Sequence, residues 1–260
     1  MVNESDIPLS YWKRMERQIP IFGEKGQLKI ARTKVVIGGA GGNGMWSALF
    51  CALVGILRLI VIDRDEVEFS NLNRSPFCSV KDVGEHKSHV TKRELESRFP
   101  EMRVKAVVGD IRSPDVWDQI RKCRWFIENV DNDETRFFIN EQCIKDGINL
   151  VSVATGFRFR DGRMISAGSR AVRVIPGDAC LVCSALGDIP SDNAIASLLL
   201  PNVIAADLGV NFVIREITRY AGDEQNGANL IMFDLLNMTL TTEKIVPTPG
   251  CQFCDQNSGK

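Results

Sequence analysis

The sequence contains few of the side chains that usually transfer protons in enzymes. It has two histidines, His86 and His89, and two tyrosines, Tyr11 and Tyr220. We expect the histidines at the surface and neither tyrosine in the core. No serine is visibly paired with a base, which argues against hydrolysis by a serine triad.

Strong net charge and long apolar runs are also absent. The formal net charge is −1, which indicates no nucleic-acid partner. No apolar run reaches the length of a membrane span, and the first residues, MVNESDIPLSYWKR, lack the apolar segment of a signal peptide. We therefore expect a cytoplasmic protein with no membrane partner.

Cysteine, by contrast, is well represented. Four of the eight cysteines form two C-x-x-C pairs, Cys180/Cys183 and Cys251/Cys254. In a long chain without an export signal, such pairs indicate metal binding, and four thiolates form a tetrahedral zinc site. Because 67 residues separate Cys183 from Cys251, zinc would join two distant segments. Of the remaining four, we expect Cys51, Cys123 and Cys143 in the core. We expect Cys78, in a polar loop, to have no role.

The segment VVIGGAGGNGMWSALFCALVGILRLIVID, residues 35–63, is the most informative part of the chain. An apolar strand leads into a glycine turn, an apolar helix and a second strand that ends in Asp63. Gly39, Gly41 and Gly44 fit the pattern G-x-G-x-x-G, and Asp63 follows Gly44 by 19 residues. This pattern is typical of a turn that approaches a phosphate at a helix N-terminus, with the acid binding a ribose.

Strand and helix patterns alternate through the first part of the chain. Strands are predicted at 34–38, 57–62, 103–108, 124–128 and 149–154, and helices at 43–54, 86–99, 114–122 and 133–146. Alternation of this kind predicts an α/β fold, a Rossmann-like, doubly wound and mostly parallel sheet.

The two ends of the chain have different patterns. Residues 5–31 predict a polar helical arm, broken near Pro20 and Gly23. After Gly156 we expect an antiparallel C-terminal extension with a hairpin near Asp161, an exposed crossing loop at 184–201, a helix at 202–220 and strands at 229–234 and 238–245. We divide the chain into an arm (1–33), a nucleotide-binding core (34–170) and a zinc-stapled extension (171–260), within one domain overall.

Polar side chains follow the second and fourth predicted strands, where ligands of open α/β sheets bind. Asn71, Arg74 and Lys87 follow the second strand and could contact a triphosphate. Asp131 follows the fourth strand and could hold Mg²⁺ with phosphate oxygens. Alternatively, Asp131 or Asp133 caps the helix at 133–146, and each residue could take one of the two roles.

Taken together, these motifs resemble a known family. GAGGNG (39–44), IDRDEVEFSNLNR (62–74), Lys87, VDN (130–132), CLVC (180–183), CQFC (251–254) and the arm YWKRMERQIPIFGEKGQ (11–27) are similar to the E1-like adenylating enzymes of the ThiF/MoeB/HesA type. The resemblance covers nearly the whole chain. It implies ATP-dependent adenylation of the C-terminal carboxylate of a small ubiquitin-fold protein, such as a sulfur carrier, with release of pyrophosphate.

The resemblance also implies roles for individual residues. Arg74 and Lys87 would contact the triphosphate, Asp131 would bind Mg²⁺, and Arg17 would reach the ATP site of a partner subunit in a homodimer. Cys180, Cys183, Cys251 and Cys254 would hold a structural zinc ion. The remaining ATP-binding positions would be Gly39, Gly41, Gly42, Gly44, Asp63, Asp65 and Asn71.

The chain departs from the family pattern in the crossing loop. Members that form a thioester or persulfide place a cysteine there, whereas no cysteine lies between Ser184 and Gly250. We therefore expect the product to leave as an acyl-adenylate. Three alternatives stay open: adenylation of a peptide in natural-product tailoring, an NAD-dependent dehydrogenase, and an inactive E1-like scaffold subunit.

Overall fold

The computed structural model describes residues 7–184, 197–219 and 227–254. Its centre is one eight-stranded sheet with the strand order β3-β2-β1-β4-β5-β6-β7-β8. Strands β1 to β5 pair in parallel, and β6 to β8 are antiparallel. The strands are β1 (Lys34–Gly38), β2 (Arg58–Ile62), β3 (Arg103–Val107), β4 (Trp125–Glu128), β5 (Asn149–Arg160), β6 (Arg163–Val174), β7 (Leu230–Asp234) and β8 (Thr239–Glu243). The predicted α/β fold with an antiparallel extension is confirmed.

Helices cover both faces of this sheet. They are α1 (Leu9–Met15), α2 (Ile19–Arg32), α3 (Gly42–Val54), α4 (Lys87–Arg98), α5 (Pro114–Trp117), α6 (Asp133–Asp146) and α7 (Leu199–Thr218). The arm is broken as expected, with a kink in α2 at Gly23, where φ is +68°. Helix α5 is shorter than the predicted 114–122, and residues 185–196 of the predicted crossing loop lie outside the described residues. In the described part of the chain, no helix is long and apolar enough to cross a membrane.

The central strands carry apolar residues on both faces, as parallel strands between two helical layers require. Val35 and Ile37 of β1 belong to the core on the face of α3 and α7, whereas Val36 belongs to the core on the face of α6. This burial stabilises the sheet and leaves its strand ends as the polar surface that can take a ligand.

The predicted hairpin near Asp161 is present, between β5 and β6. Asp161 and Gly162 both have positive φ, +52° and +71°, as tight two-residue turns between antiparallel strands require. Both strands are 12 residues long, so β5 continues well beyond the predicted 149–154. The proposed boundary between residues 170 and 171 falls inside β6.

Tyr11 corrects one prediction, since it lies in the core with 0% of its surface exposed. Its hydroxyl donates to the Gly55 carbonyl oxygen (2.9 Å) and accepts from Gln27 Nε2 (2.8 Å). Burial raises the pKa of Tyr11 to about 12. The arm is rich in charge, but it docks one face of α1 on the C-terminal end of α3, a contact that composition does not reveal.

Candidate nucleotide site

A cleft of about 530 Å³ opens at the carboxyl ends of the sheet, where α3 begins. Strands β1 and β4 are neighbours there although two other strands separate them in sequence, so the strand order reverses at this point. Ligands of doubly wound folds bind at such a position. The cleft is lined by most of the predicted ATP-binding residues, namely Gly39, Gly41, Gly42, Asp63, Asp65, Asn71, Arg74, Lys87 and Asp131.

The glycines of the turn have different surroundings. Gly39 has φ +86°, and a Cβ there would lie 2.9 Å from the Asn129 carbonyl oxygen. A Cβ on Gly44 would lie 1.8 Å from the Gly39 carbonyl oxygen, whereas a Cβ on Gly41 would have no neighbour within 4 Å. Gly39 and Gly44 therefore allow the turn to close, and Gly41 leaves its outer side free for a ligand.

Asp63 joins the end of β2 to the glycine turn. Its two carboxylate oxygens accept from the backbone N–H groups of Ala40 (2.5 Å) and Asp65 (2.7 Å). Burial raises the pKa of Asp63, although both hydrogen bonds favour the ionised form. The carboxylate is thus held at the position where the sequence pattern expects a ribose contact.

Two cationic side chains form the wall beyond β2. Lys87 Nζ lies 3.1 Å from Asp65 Oδ2, and the Lys87 side chain is 13% exposed. Arg74 donates to the Ser70 carbonyl oxygen and to Asn73 Oδ1. Within the described residues Arg74 pairs with no carboxylate, so its charge is available to an anionic ligand.

Asn71 is part of the loop that carries Arg74. Its Oδ1 accepts from the Glu68 N–H (3.1 Å) and closes the 3₁₀ turn Phe69–Asn71. The Arg74 N–H donates to the Asn71 carbonyl oxygen (3.2 Å). Asn71 therefore shapes the loop as well as lining the cleft.

Asp131 lies exposed on the opposite wall, after β4. Asn132 Nδ2 donates to Asp131 Oδ1 at 3.3 Å. The N-cap of α6 is Asn132, whose Oδ1 accepts from the Thr135 N–H (2.9 Å). The alternative that Asp131 or Asp133 caps this helix is therefore wrong, because the helix begins at Asp133 and the cap is the residue before it.

A buried ion pair beneath Asp131 was not foreseen from the sequence. Glu128 Oε2 lies 3.1 Å from Arg136 Nε, and both side chains are buried. Glu128 accepts from the Val130 N–H (2.7 Å), and Arg136 donates to the Val130 carbonyl oxygen (2.7 Å). The pair fixes the backbone beside Asp131. The sequence does place an acid at the end of an apolar strand and an arginine in the next helix, and this combination could have predicted the pair.

Asn202 of α7 is a second lining residue that sequence reasoning missed. Its Oδ1 accepts from Thr155 Oγ1 (3.2 Å) on β5, and its Nδ2 donates to Ser197 Oγ (3.3 Å). Asn202 is the polar residue in the otherwise apolar start of α7, LLPNVIAA. That contrast could have identified it as a candidate site residue.

The four cysteines of the two C-x-x-C pairs come together away from the cleft. All four sulfur atoms lie within 4.8 Å of one another. The Sγ–Sγ distances are 3.8 Å for Cys180–Cys183, 3.7 Å for Cys180–Cys251 and 3.2 Å for Cys183–Cys254. Tetrahedral zinc, with zinc–sulfur bonds of about 2.3 Å, requires sulfurs about 3.8 Å apart. The donor set therefore fits zinc.

Cys183 has the environment of a metal-binding thiolate. Burial opposes its ionisation, but hydrogen bonds to its sulfur outweigh burial and lower the pKa of Cys183 to about 6; the donors include the Thr248 N–H at 3.3 Å and the Cys254 thiol. The other cysteines lie where they were expected: Cys51, Cys123 and Cys143 are buried, and Cys78 is half-buried.

Comparison with known proteins agrees with this geometry. A sequence profile of the ThiF family matches residues 15–253. The chain belongs to the ThiF family. The resemblance seen in its motifs is thereby confirmed, as is the prediction of an E1-like adenylyltransferase.

Relatives of this ThiF-family protein include three named enzymes. The SAMP-activating enzyme E1 of Haloferax volcanii is 26% identical over 90% of the chain and 84% of its own length. The sulfur carrier protein ThiS adenylyltransferase of Bacillus subtilis is 31% identical over 66% of the chain and 49% of its own length. The sulfur carrier protein adenylyltransferase of Thermus thermophilus is 33% identical over 53% of the chain and 52% of its own length. The chain thus spans about half of the last two.

Solved structures share the fold of this ThiF-family protein. Escherichia coli MccB with MccA-N7isoASN superposes with a TM-score of 0.78, at 23% identity over 95% of the chain and 77% of MccB. MccB with ATP gives a TM-score of 0.76, at 23% identity over 95% of the chain and 76% of MccB. PaaA gives 0.74, at 19% identity over 95% of the chain and 77% of PaaA.

Two predicted residues of this ThiF-family protein do not line its cleft. Gly44 lies behind the turn, against Gly39. Arg17 is exposed, between α1 and α2. A role for Arg17 in the ATP site of a partner subunit stays a prediction.

Proposed function

We propose that the protein uses ATP to adenylate the C-terminal carboxylate of a small ubiquitin-like or sulfur-carrier protein, with release of pyrophosphate. The observation that carries this proposal is the convergence of a glycine turn, two cationic side chains and an acidic residue in one cleft at the strand-order reversal. The names of the Haloferax, Bacillus and Thermus relatives support the class of substrate.

The chemistry needs no general base. A C-terminal carboxyl group has a pKa of about 3.5, so it is already an ionised nucleophile at neutral pH. The protein has to orient this carboxylate against the α-phosphorus and stabilise the charge of the departing pyrophosphate. Arg74 and Lys87 provide positive charge on one wall of the cleft, and Asp63 holds the ribose.

Asp131 would hold Mg²⁺ together with phosphate oxygens. The fit is good because its carboxylate is exposed to the cleft and receives one hydrogen bond from Asn132. When bound, Mg²⁺ would neutralise phosphate charge and orient the leaving group. The pair Glu128–Arg136 keeps the Asp131 backbone in place.

We place this reaction in the cytoplasm and in a homodimer, with Arg17 of one subunit reaching the ATP site of the other. The family resemblance supports the homodimer, and the exposure of Arg17 outside its own cleft agrees with such a role. Sedimentation velocity of wild-type protein would test this assembly, and a monomer at the concentrations used for activity would contradict it.

ATP–pyrophosphate exchange tests the function. We expect exchange that requires Mg²⁺ and an acyl acceptor, and we expect Asp131→Ala to abolish it without unfolding the protein. Asp115→Ala, the same change at an exposed residue of α5 outside the cleft, is the matched control. Full exchange by folded Asp131→Ala would contradict the Mg²⁺ assignment.

The acceptor experiment separates the alternative substrates. A carrier protein ending in Gly-Gly is compared with a synthetic peptide of its last ten or so residues. Exchange with the carrier but not the peptide supports the proposal, and exchange with peptides alone supports natural-product tailoring. A protein that binds NAD rather than ATP, or that exchanges with no acceptor, would contradict the proposal and support the dehydrogenase or the scaffold subunit.

A further inference from the structure

Asn202 lies where three elements of the cleft meet. It projects from the first turn of α7 towards Gly42, the first residue of α3, and is 2% exposed. A Cβ added to Gly42 would lie 2.5 Å from Asn202 Nδ2 and 3.1 Å from Arg74 Cδ. The Asn202 amide and the Arg74 side chain thus flank the same point of the glycine turn.

The Asn202 amide is held in a defined orientation. Thr155 Oγ1 donates to its Oδ1 at 3.2 Å, and its Nδ2 donates to Ser197 Oγ at 3.3 Å. An NH₂ group has two hydrogens, and the second has no acceptor among the described residues. A buried amide with an unused donor is costly, and a ligand that accepts from this donor would remove the cost.

A nucleotide phosphate fits that position. The glycine turn begins beside Asp63, because Ala40 donates to its carboxylate, so a ribose at Asp63 places its own phosphate next to the turn. The α-phosphate is therefore the group that meets the N-terminus of α3 at Gly41 and Gly42.

We propose that Asn202 is a further catalytic residue, whose side-chain N–H donates to the α-phosphate of the bound nucleotide. The inference rests on the proposed function, in which the acyl carboxylate attacks this α-phosphorus. A fixed donor at the attacked phosphate stabilises the charge that develops on its oxygens and costs no reorganisation during the reaction.

The affinities of adenosine, AMP and ATP, measured by calorimetry without any acyl acceptor, test the contact. Adenosine lacks the α-phosphate, and AMP has it. Asn202→Leu should bind AMP and ATP about tenfold more weakly than wild type and adenosine equally well. The increase in affinity from AMP to ATP should be the same in Asn202→Leu as in wild type, because the two additional phosphates contact Arg74 and Lys87.

Two further variants control for effects on the fold. Asn211→Leu makes the same change in the same helix, at a residue that lines a separate groove, and should bind all three ligands as wild type does. Asn202→Asp keeps the size of the side chain and places an anion beside the phosphate, so its loss of AMP affinity should exceed that of Asn202→Leu. Equal losses for adenosine and AMP, or no loss with AMP, would overturn the assignment.

The series also separates this inference from the proposed function. If wild type shows no acceptor-dependent exchange but Asn202→Leu selectively loses AMP affinity, the phosphate contact is supported and the proposed reaction is wrong. If wild type shows acceptor-dependent ATP–pyrophosphate exchange and Asn202→Leu binds AMP as wild type does, only the assignment of Asn202 is wrong. Where exchange occurs, Asn202→Leu should also lower kcat while the KM for the acceptor is unchanged.

Discussion

At the residue scale, two glycines of the turn differ in the space around the position that a side chain would occupy. A methyl group on Gly44 would meet the Gly39 carbonyl oxygen, a backbone atom that cannot move without opening the turn. A methyl group on Gly41 would meet nothing within 4 Å. Under the proposed function, it would take up space that the phosphates need.

We therefore expect Gly44→Ala to lower the free energy of unfolding by about 1–3 kcal/mol. Gly41→Ala should keep wild-type stability but bind ATP more weakly. Urea denaturation and ATP titration of the two variants check this. Equal destabilisation of both would show that the turn does not have the described geometry.

Cys78 is the remaining candidate for covalent chemistry. Its sulfur lies 3.6 Å from Met45 Sδ, and burial raises the pKa of the thiol, which lowers the fraction of reactive thiolate at neutral pH. It does not line the cleft. Cys78→Ser should therefore retain full activity with the natural acceptor, and no thiol-sensitive adduct should appear on non-reducing gels. An adduct that Cys78→Ser alone abolishes would identify Cys78 as a catalytic thiol.

At the element scale, the connection from β4 to α6 depends on the ion pair of Glu128 and Arg136. Glu128→Gln would leave buried Arg136 with Asp133 (2.9 Å), a more exposed carboxylate, as its ionic partner. Breaking a buried pair completely costs about 3–5 kcal/mol, so we expect a cost of more than about 1 kcal/mol but below that range. Glu141→Gln breaks an exposed pair with Lys145 (2.6 Å) and should cost less than about 1 kcal/mol. Chemical denaturation of the two variants measures the difference, and similar costs would refute the role of the buried pair.

Helix α4, which carries Lys87, pairs with a second buried carboxylate through Arg93. Asp82 is 1% exposed and accepts from the Ser79 N–H (2.7 Å) while pairing with Arg93. Burial opposes its ionisation, but the hydrogen bonds from Ser79 and the Arg93 charge outweigh burial and lower the pKa of Asp82.

Because the folded-state pKa of Asp82 lies below its unfolded value of about 3.9, its contribution to stability is present above about pH 4 and is lost as pH falls through the folded-state pKa. Asp82→Asn should melt at a lower temperature than wild type at pH 7, and this difference should shrink below pH 4. A difference that stays constant from pH 7 to pH 3 would contradict the assignment.

At the scale of the whole molecule, the cysteine cluster joins the segment after β6 to the C-terminal segment after β8. We expect one zinc ion per chain. Cys254→Ser should lose zinc and destabilise the C-terminal extension more than the nucleotide-binding core, because metal binding stabilises the folded ligand set. Cys78→Ser, outside the cluster, should keep its zinc.

Metal analysis of protein purified without chelator and hydrogen exchange of the two variants check this prediction. Zinc should also dissociate on acidification, because cysteine binds zinc as the thiolate and protons compete with the metal for its sulfur. Wild-type protein without zinc would contradict the assignment.

Much of the fold and part of the cleft could be predicted from the sequence, because those features depend on local patterns. Apolar runs alternate with helical patterns, so β1 to β4 were placed within about one residue, although β5 is six residues longer than predicted. The glycine turn and Asp63 follow from spacing alone. Parallel strands align their carboxyl ends, which brings Asp63, Arg74, Lys87 and Asp131 to one edge of the sheet.

Other features were decided only by tertiary structure, because they depend on which distant side chains meet. The burial of Tyr11 results from docking of the arm on the C-terminal end of α3. The bond between Glu128 and Arg136 and the approach of Asn202 to Gly42 join elements whose sequences carry no common pattern. Local pattern therefore determined where the cleft forms, and long-range packing decided which additional side chains line it.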